Sequence, residues 1–340
     1  MTLEYRQMSP CILYAGIARV LSFRNTSGQF SAISLWRERQ MQTILHNCCG
    51  MDVHKDSVVA CILKTCTTSE SKQSSADVEK EIRVFGTFPD ELVKLRERLE
   101  SENCTNVAME STGIYRHPIY EAIEDACGDE MNILVTNVRH MRNVPGKKTD
   151  MKGAKWIAGL LHAGLLAGSF IPPQDVRELR QLTRYRKNVV QDINTQKNRI
   201  EKTLQQAGFK LSSFLSDVFG VSGRNRISVL IKNGKLLPHD VDNETRRISK
   251  EKKADIKRAI NGKLTEKQRY FLQLQITLLD GLLTHLETIE ESISELSAKW
   301  NDDIERLSTI SGIGLTSATA IVGEIGSDMS KFPTAEHFCS

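Results

Sequence analysis

From Asn47 onward the chain alternates short β-rich runs with segments of helical length, and the order of these elements restricts the fold more than any other feature. Met51 to Val53 and Val58 to Leu63 are strand-like and are split by the polar HKDS, as a hairpin requires. Lys64 to Lys80 is polar, rich in Ser and Thr, and reads as a loop. Ile82 to Phe88 reads as a third strand, after which Pro89-Asp90 opens a helix through Leu92, Val93, Leu95 and Leu99. Asn106 to Met109 is a fourth strand ending at Glu110, Tyr115 to Ala126 is helical, and Ile133 to Thr136 is a fifth strand. A basic loop then leads to a helix starting near Asp150.

That order predicts an α/β fold, a ribonuclease-H-like mixed sheet with helices. Three carboxylates sit at telling places in it: Asp52 in CCGMDVHKDSVVACIL, Glu110 in NVAMESTGIY and Asp150 in VPGKKTDMKGAKWIA. Asp52 falls on the first strand, Glu110 at the end of the fourth, and Asp150 at the start of the last helix. Carboxylates held on stiff strands that converge repel one another, and oxygen-coordinated Mg²⁺ or Mn²⁺ relieves the repulsion. A strand-end Asp, a turn Glu before Ser111-Thr112-Gly113 and an N-cap Asp are the bland explanations for each residue alone. The three together, in this order, are the expected catalytic and metal-binding residues.

A length of 340 residues allows more than one domain. Residues 1–46 show mixed composition and no sustained period, and read as a disordered extension or an upstream-start artefact. Residues 47–170 form the expected catalytic domain, 171–300 a helical coiled-coil region with a basic insertion, and 301–340 the start of a further domain. The eight cysteines lack the spacing of a disulfide framework and read as reduced thiols of a cytoplasmic protein. Cys48, Cys49 and His54 have no second CxxC or HxxxH to complete a zinc site, so the cysteines are expected to be buried small side chains. No membrane-spanning segment is expected, since the stretch Ile12 to Leu21 is short and carries Arg19.

A net charge of +4 says little about partners, so the local distribution carries that argument. Arg139, Arg142, Lys147, Lys148, Lys152 and Lys155 crowd the approach to Asp150 and would offset phosphate repulsion by an acidic pocket. A second stripe, from Arg177 through Arg180, Arg184, Arg186 and Lys187 to Lys202, reads as a solvated helix face or a further polyanion contact. Leu279, Leu282, Leu286, Ile289, Ile293, Leu296 and Trp300 follow the seam of a coiled coil, and the region around Leu179 to Leu204 has a similar seam. The two could pair within one chain or between chains. Between them, Arg224 to Arg269 has few apolar anchors and reads as a mobile or partner-ordered insertion. Leu307, Ile310, Gly312-Ile313-Gly314, Ala318 and Ile321 suggest helix, glycine turn, helix. Gly312 and Gly314 would let backbone N–H groups approach a phosphate, or would let the helices pack closely.

The segments GMDVHKD, AMESTGIYRHPIYEAI, NVRHMRNVPGKKTDMKGAKWIA and LSTISGIGLTSATAIVGEIGSDMSKFPTAEHF resemble the DEDD-type insertion-sequence transposases, which carry a RuvC-like N-terminal domain and a separate C-terminal transposase domain. The resemblance covers nearly everything after residue 46. It implies a metal-dependent DNA recombinase that moves its own element, with DNA ends and target DNA as partners, a homo-oligomer joined through the coiled coil, and in some members an element-encoded guide RNA. Two departures stand out. The family's third segment usually reads KTDxxD, and here Gly153 takes the second position, where a glycine would weaken the helix. The family's C-terminal domain continues past the FPTAEHF segment into a stretch supplying a nucleophilic serine, which Cys339-Ser340 do not match, so the chain reads as a shortened copy and no nucleophile is assigned. A structure-selective nuclease and a non-catalytic nucleic-acid-binding remnant are the alternatives.

Overall fold

The computed structural model of the protein describes residues 45, 47–65, 78–110, 113–127, 130–136, 153–166, 168–241, 250–332, 334–335 and 338. These separate into two compact units, with the division between Ile171 and Pro172.

The first unit is built on one sheet of five strands: β1 (Asn47–Val53), β2 (Ser57–Thr65), β3 (Val78–Gly86), β4 (Asn106–Glu110) and β5 (Asn132–Thr136), in the order β3-β2-β1-β4-β5. β1 pairs antiparallel with β2, and β2 with β3, whereas β1 and β4, and β4 and β5, run parallel. This is the ribonuclease-H-like topology that the order of elements predicts. The β1–β2 turn is tight, with the His54 N–H donating to the Ser57 carbonyl at 2.9 Å. β3 starts and stops earlier than the expected Ile82 to Phe88. Phe88 is instead the N-cap of helix α1 (Pro89–Ser101), because Pro89 has no N–H to offer a ladder and its fixed φ suits a first helical turn.

Alternation along the strands sorts the side chains onto two faces. On one, Cys49, Met51, Val53, Val107, Met109 and Val135 pack under Leu92, Leu95 and Leu99 of α1 and Ile119 and Ile123 of α2 (Arg116–Cys127). On the other, Cys48, Cys61, Leu63 and Ala108 pack under Ala154, Ile157, Ala158 and Leu161 of α3 (Ala154–His162). α3 runs back along β1. Gly153 lies against Asp52, Ala154 and Ala158 against Gly50, the Ala158 carbonyl 3.9 Å from Cys48 Sγ, and His162 Nδ1 2.8 Å from the Leu45 carbonyl. Gly50 makes this approach possible. A Cβ there would overlap the Ala158 nitrogen and the Ala154 carbonyl oxygen, and would lie 2.7 Å from the Ala158 Cα. Glycine inside a strand is the usual mark of such a close backbone contact. At the far end of the sheet Lys64, Arg83 and Arg98 interlock with Glu81 and Glu102, tying β2, β3 and α1 together.

The second unit is helical. Its long helices α4 (Gln174–Gln206) and α7 (Glu266–Ser297) pair antiparallel within the chain. Tyr185 Oη meets His285 Nε2 at 2.9 Å near one end, and Gln196 Nε2 donates to the Gln275 carbonyl at 3.0 Å further along. The buried seam comprises Leu179, Val189, Ile193, Ile200 and Leu204 on α4 and Leu272, Ile276, Leu279, Ile289 and Ile293 on α7, with Trp300 at the end. Of the two pairings open in the sequence, the structure takes the one within a chain. Thr265 starts α7 through a capping box with Gln268.

The expectation of a mobile insertion from Arg224 to Arg269 is overturned for its described residues. α5 (Val221–Asn233) and α6 (Lys250–Ala259) lie there, and Ile227, Leu230, Leu236, Val241, Ile256, Ile260 and Leu264 are all buried in the core of the unit. The apolar residues are sparse, but nearly every one is used. α8 (Asn301–Ser308) and α9 (Leu315–Ile325) complete the unit.

Much of the second basic stripe is structural. Arg180 donates to the carbonyls of Gly323 and Glu324, and Arg184 makes a two-point contact with the Glu324 carboxylate at 2.7 and 2.8 Å. Arg186 pairs with Glu290, and Arg177 donates to the Pro172 carbonyl. Cations at the C-terminal carbonyls of α9 suit the helix dipole, and they fasten α9 to α4. A Cβ on Gly323 would lie only 3.3 Å from the Arg180 nitrogen, so the two backbones come close at the same contact.

Gly50→Ala tests the helix–sheet contact. Since the obstruction is backbone on both sides, the substitution is expected to cost about 3 kcal/mol, the upper end of ordinary overpacking. Urea unfolding of the two proteins measures it, and an unchanged midpoint would refute the close approach.

Candidate active site

The C-terminal ends of β1, β4 and β5 lie along one edge of the sheet, because the three strands run parallel. The β1–β4 register pairs Gly50 with Ala108 and Met51 with Met109, which brings Asp52 and Glu110 next in line. Both side chains therefore stand on the α3 face, one strand spacing of about 4.8 Å apart. Asp52 is mostly covered, with 20% of its side chain exposed. His54, just beyond the strand, places Nε2 3.6 Å from Asp52 Oδ2 and is itself largely exposed.

The N-terminus of α3 closes this corner from above. Gly153 is its N-cap, at φ 79° and ψ −143°, with no side-chain cap. A Cβ on Gly153 would overlap Asp52 Oδ2 and lie 3.1 Å from Asp52 Cγ. The sequence reading of Gly153 as a weak point inside a helix is thus corrected. The residue lies outside the helical dihedrals, in a conformation that favours glycine, and it lets the first turn come down onto the Asp52 carboxylate. Positive helix-end N–H groups beside a carboxylate are electrostatically favourable.

Thr136 forms the third side of the corner. It ends β5, pairs in register with Glu110, and stands on the same face. It is fully buried, and its hydroxyl has no hydrogen-bond partner among the described residues. A buried orphan hydroxyl costs about 1–3 kcal/mol, so its retention next to Glu110 is informative.

Of the sequence-predicted residues, the structure brings Asp52 and Glu110 together and puts Lys155 on the first turn of α3, half-buried. Asp150, Arg139, Arg142, Lys147, Lys148 and Lys152 fall outside the described residues. Among the described residues no group of three or more His, Cys, Asp and Glu side chains forms a metal cluster. The Asp52 and Glu110 oxygens are nonetheless the hard donors that a divalent cation of the Mg²⁺ class takes. The orphaned Thr136 hydroxyl next to Glu110 fits a site with a further polar occupant.

Gly312 and Gly314 belong to the second unit. Gly312 has φ 88°, and a Cβ on either glycine would meet nothing within 4 Å. Among the described residues, close helix packing therefore does not explain these glycines. Gly314 is the N-cap of α9 without a side-chain cap, and Gly314, Leu315 and Thr316 are exposed.

Cys48, Cys49, Cys61 and Cys104 are free and buried. Burial pushes the Cys48 thiol up to about 12 and that of Cys104 up to about 11, so neither is a nucleophile. Cys48 and Cys49 point to opposite faces of β1, which also disposes of a zinc site with His54. Among the described residues no helix is long and apolar enough to cross a membrane.

Sequence reasoning passed over Gly50, Thr136 and the close-approach role of Gly153. A glycine in the middle of a strand was a usable signal for the first. Nothing in the run ILVT marks Thr136 as more than a strand end.

A family model described as a transposase of the DEDD type from IS110-like elements matches residues 49–209. A second, described as "Transposase IS116/IS110/IS902 family", matches residues 304–340, and the two together span more than half of the chain. Among solved structures, the RuvC structure from Thermus thermophilus is similar, at 12% identity and a TM-score of 0.25, over 35% of this chain and 91% of that one. No curated protein matches.

Gly153→Ala separates the two accounts of Gly153. Helix propensity alone would make alanine more stable by up to about 1 kcal/mol. The positive φ and the contact with Asp52 predict instead a loss of about 1–3 kcal/mol, which thermal or urea unfolding of the metal-free protein will show by its sign.

Proposed function

Because the chain belongs to the transposase family of IS110-like insertion sequences, whose two characteristic segments it carries in order, we propose that it cleaves and transfers DNA strands in a metal-dependent transposition reaction. The observation that carries this reading is the placement of Asp52 and Glu110 side by side at the ends of adjacent parallel strands, under the N-terminus of α3. Asp52 and Glu110 would hold the cation, Mg²⁺ or Mn²⁺, and Asp150, three residues before Gly153 in sequence, would be the third carboxylate. When bound, paired cations of this kind activate an attacking oxygen and stabilise a leaving oxygen in phosphodiester chemistry.

The chain's own residues prepare that site. β1 and β4 hold the two carboxylates rigidly, and α3 presses against Asp52 so that its oxygens have few orientations open to them. Burial on the α3 face keeps bulk water from competing for the same oxygens. Lys155, with Arg139, Arg142, Lys147, Lys148 and Lys152, would position the nucleic-acid backbone at the rim.

The exposed, uncapped start of α9 at Gly314 and the turn at Gly312 supply N–H groups for a second phosphate contact. Lys187, Thr316 and Ser317 line a groove beside it. DNA ends and target DNA are the proposed partners, with an element-encoded guide RNA as a further one, in the cytoplasm. A homo-oligomer through the coiled coil is supported by Tyr270, Phe271, Leu274 and Leu278, which leave an exposed apolar row on α7 away from its seam with α4.

The test is strand cleavage and joining on element-end DNA with Mg²⁺. Asp52→Asn and Glu110→Gln are each expected to lower the rate by about 100-fold or more, about 2.7 kcal/mol of transition-state stabilisation, with the fold retained by circular dichroism. Nicking of branched DNA without joining would instead favour a structure-selective nuclease. Tight DNA binding with no cleavage, unchanged by Asp52→Asn, would leave only a nucleic-acid-binding protein.

A further inference from the structure

Thr136 has no explanation in the packing of its own strand. Leu134, two positions earlier on the same face, is apolar and packs against the cluster under α3. Val135 turns to the other face and is buried there. At a fully buried strand end, valine has the same shape as threonine, equal or better β-propensity, and no hydroxyl to satisfy. The chain instead keeps a hydroxyl with no partner among the described residues. Its in-register neighbour across the strand pair is Glu110. Asp52 stands on that same face one strand further on.

We infer that Thr136 is a positioning residue of the cation site: its hydroxyl donates to the Glu110 carboxylate when that carboxylate turns to hold a divalent cation. This rests on the metal reading given above for Asp52 and Glu110. A carboxylate that binds a cation with one oxygen lone pair has others to satisfy. Ligating carboxylates are commonly held by such a second hydrogen bond, and its removal typically weakens metal affinity 10–100-fold. In the metal-free protein the hydroxyl has nothing to lose. The same substitution should therefore be harmless to the empty protein and harmful to cation binding, an opposition that a purely structural threonine would not produce.

The experiment is a titration of the full chain with Mn²⁺, followed by the electron paramagnetic resonance of the free ion, for wild type, Thr136→Val and Thr136→Ser. Thermal unfolding of each metal-free protein runs alongside. The expected result is a Kd for Mn²⁺ raised about tenfold or more in Thr136→Val, near wild-type affinity in Thr136→Ser, and a metal-free Tm that is unchanged or higher in Thr136→Val. Wild-type affinity in Thr136→Val would overturn the inference while leaving the carboxylate site intact. A lowered metal-free Tm in Thr136→Val would overturn it too, by showing that the hydroxyl serves the fold. If wild type itself binds no Mn²⁺, the metal reading of Asp52 and Glu110 falls first and takes this inference with it.

Discussion

The first unit depends on the absence of a side chain at Gly50. With backbone meeting backbone there, α3 lies directly on β1, and its whole course follows, from Gly153 over Asp52 to His162 beside Leu45. A methyl group at Gly50 would lift the helix, and the lift would be greatest in consequence at its N-terminus, where the corner containing Asp52 would open to water. The site thus owes its enclosure to a contact that no charged residue makes. Interiors are close-packed enough to transmit such a displacement rather than absorb it.

Charge has two separate employments in the chain. In the second unit, Arg180 and Arg184 are spent on α9, and Arg186 on α7, so their positive charge is locally cancelled by Glu324, Glu290 and helix-end carbonyls. In the first unit, Lys64, Arg83 and Arg98 are cancelled by Glu81 and Glu102 at the edge away from the site. Counting cations along the sequence overstates the field that a polyanion would meet. The seam between α4 and α7 also contains a buried polar contact, Gln196 to the Gln275 backbone, where two apolar residues would pack as well. A single buried polar contact of this type selects one register among several that leucine and isoleucine would tolerate.

The legible parts of the fold were those set by local pattern. The β-rich runs and their order led to the sheet, since period-two burial leaves its mark directly on residue type: Cys49, Met51 and Val53 went one way and Cys48 and Gly50 the other. Pro89 announced α1, although it also cut β3 short, which the apolar run Ile82 to Phe88 concealed. The region from Arg224 to Arg269 was misread because scarcity of apolar residues is a local property, whereas burial of Ile227, Leu230 and Ile256 depends on what the rest of the unit brings to them. Asp52 and Glu110 stood out as candidates because acids at the ends of apolar runs are unusual in any context.

By itself, the sequence determined the element order, the family likeness and the candidacy of Asp52 and Glu110, all of which follow from residue type and spacing along the chain. Only the tertiary structure decided that the two long helices pair within one chain, that Gly153 is a close-approach residue and not a flaw in a helix, and that Thr136 shares a face with Glu110. These are statements about neighbours far apart in sequence. They depend on strand register and on which backbone can touch which, and a linear pattern does not contain either.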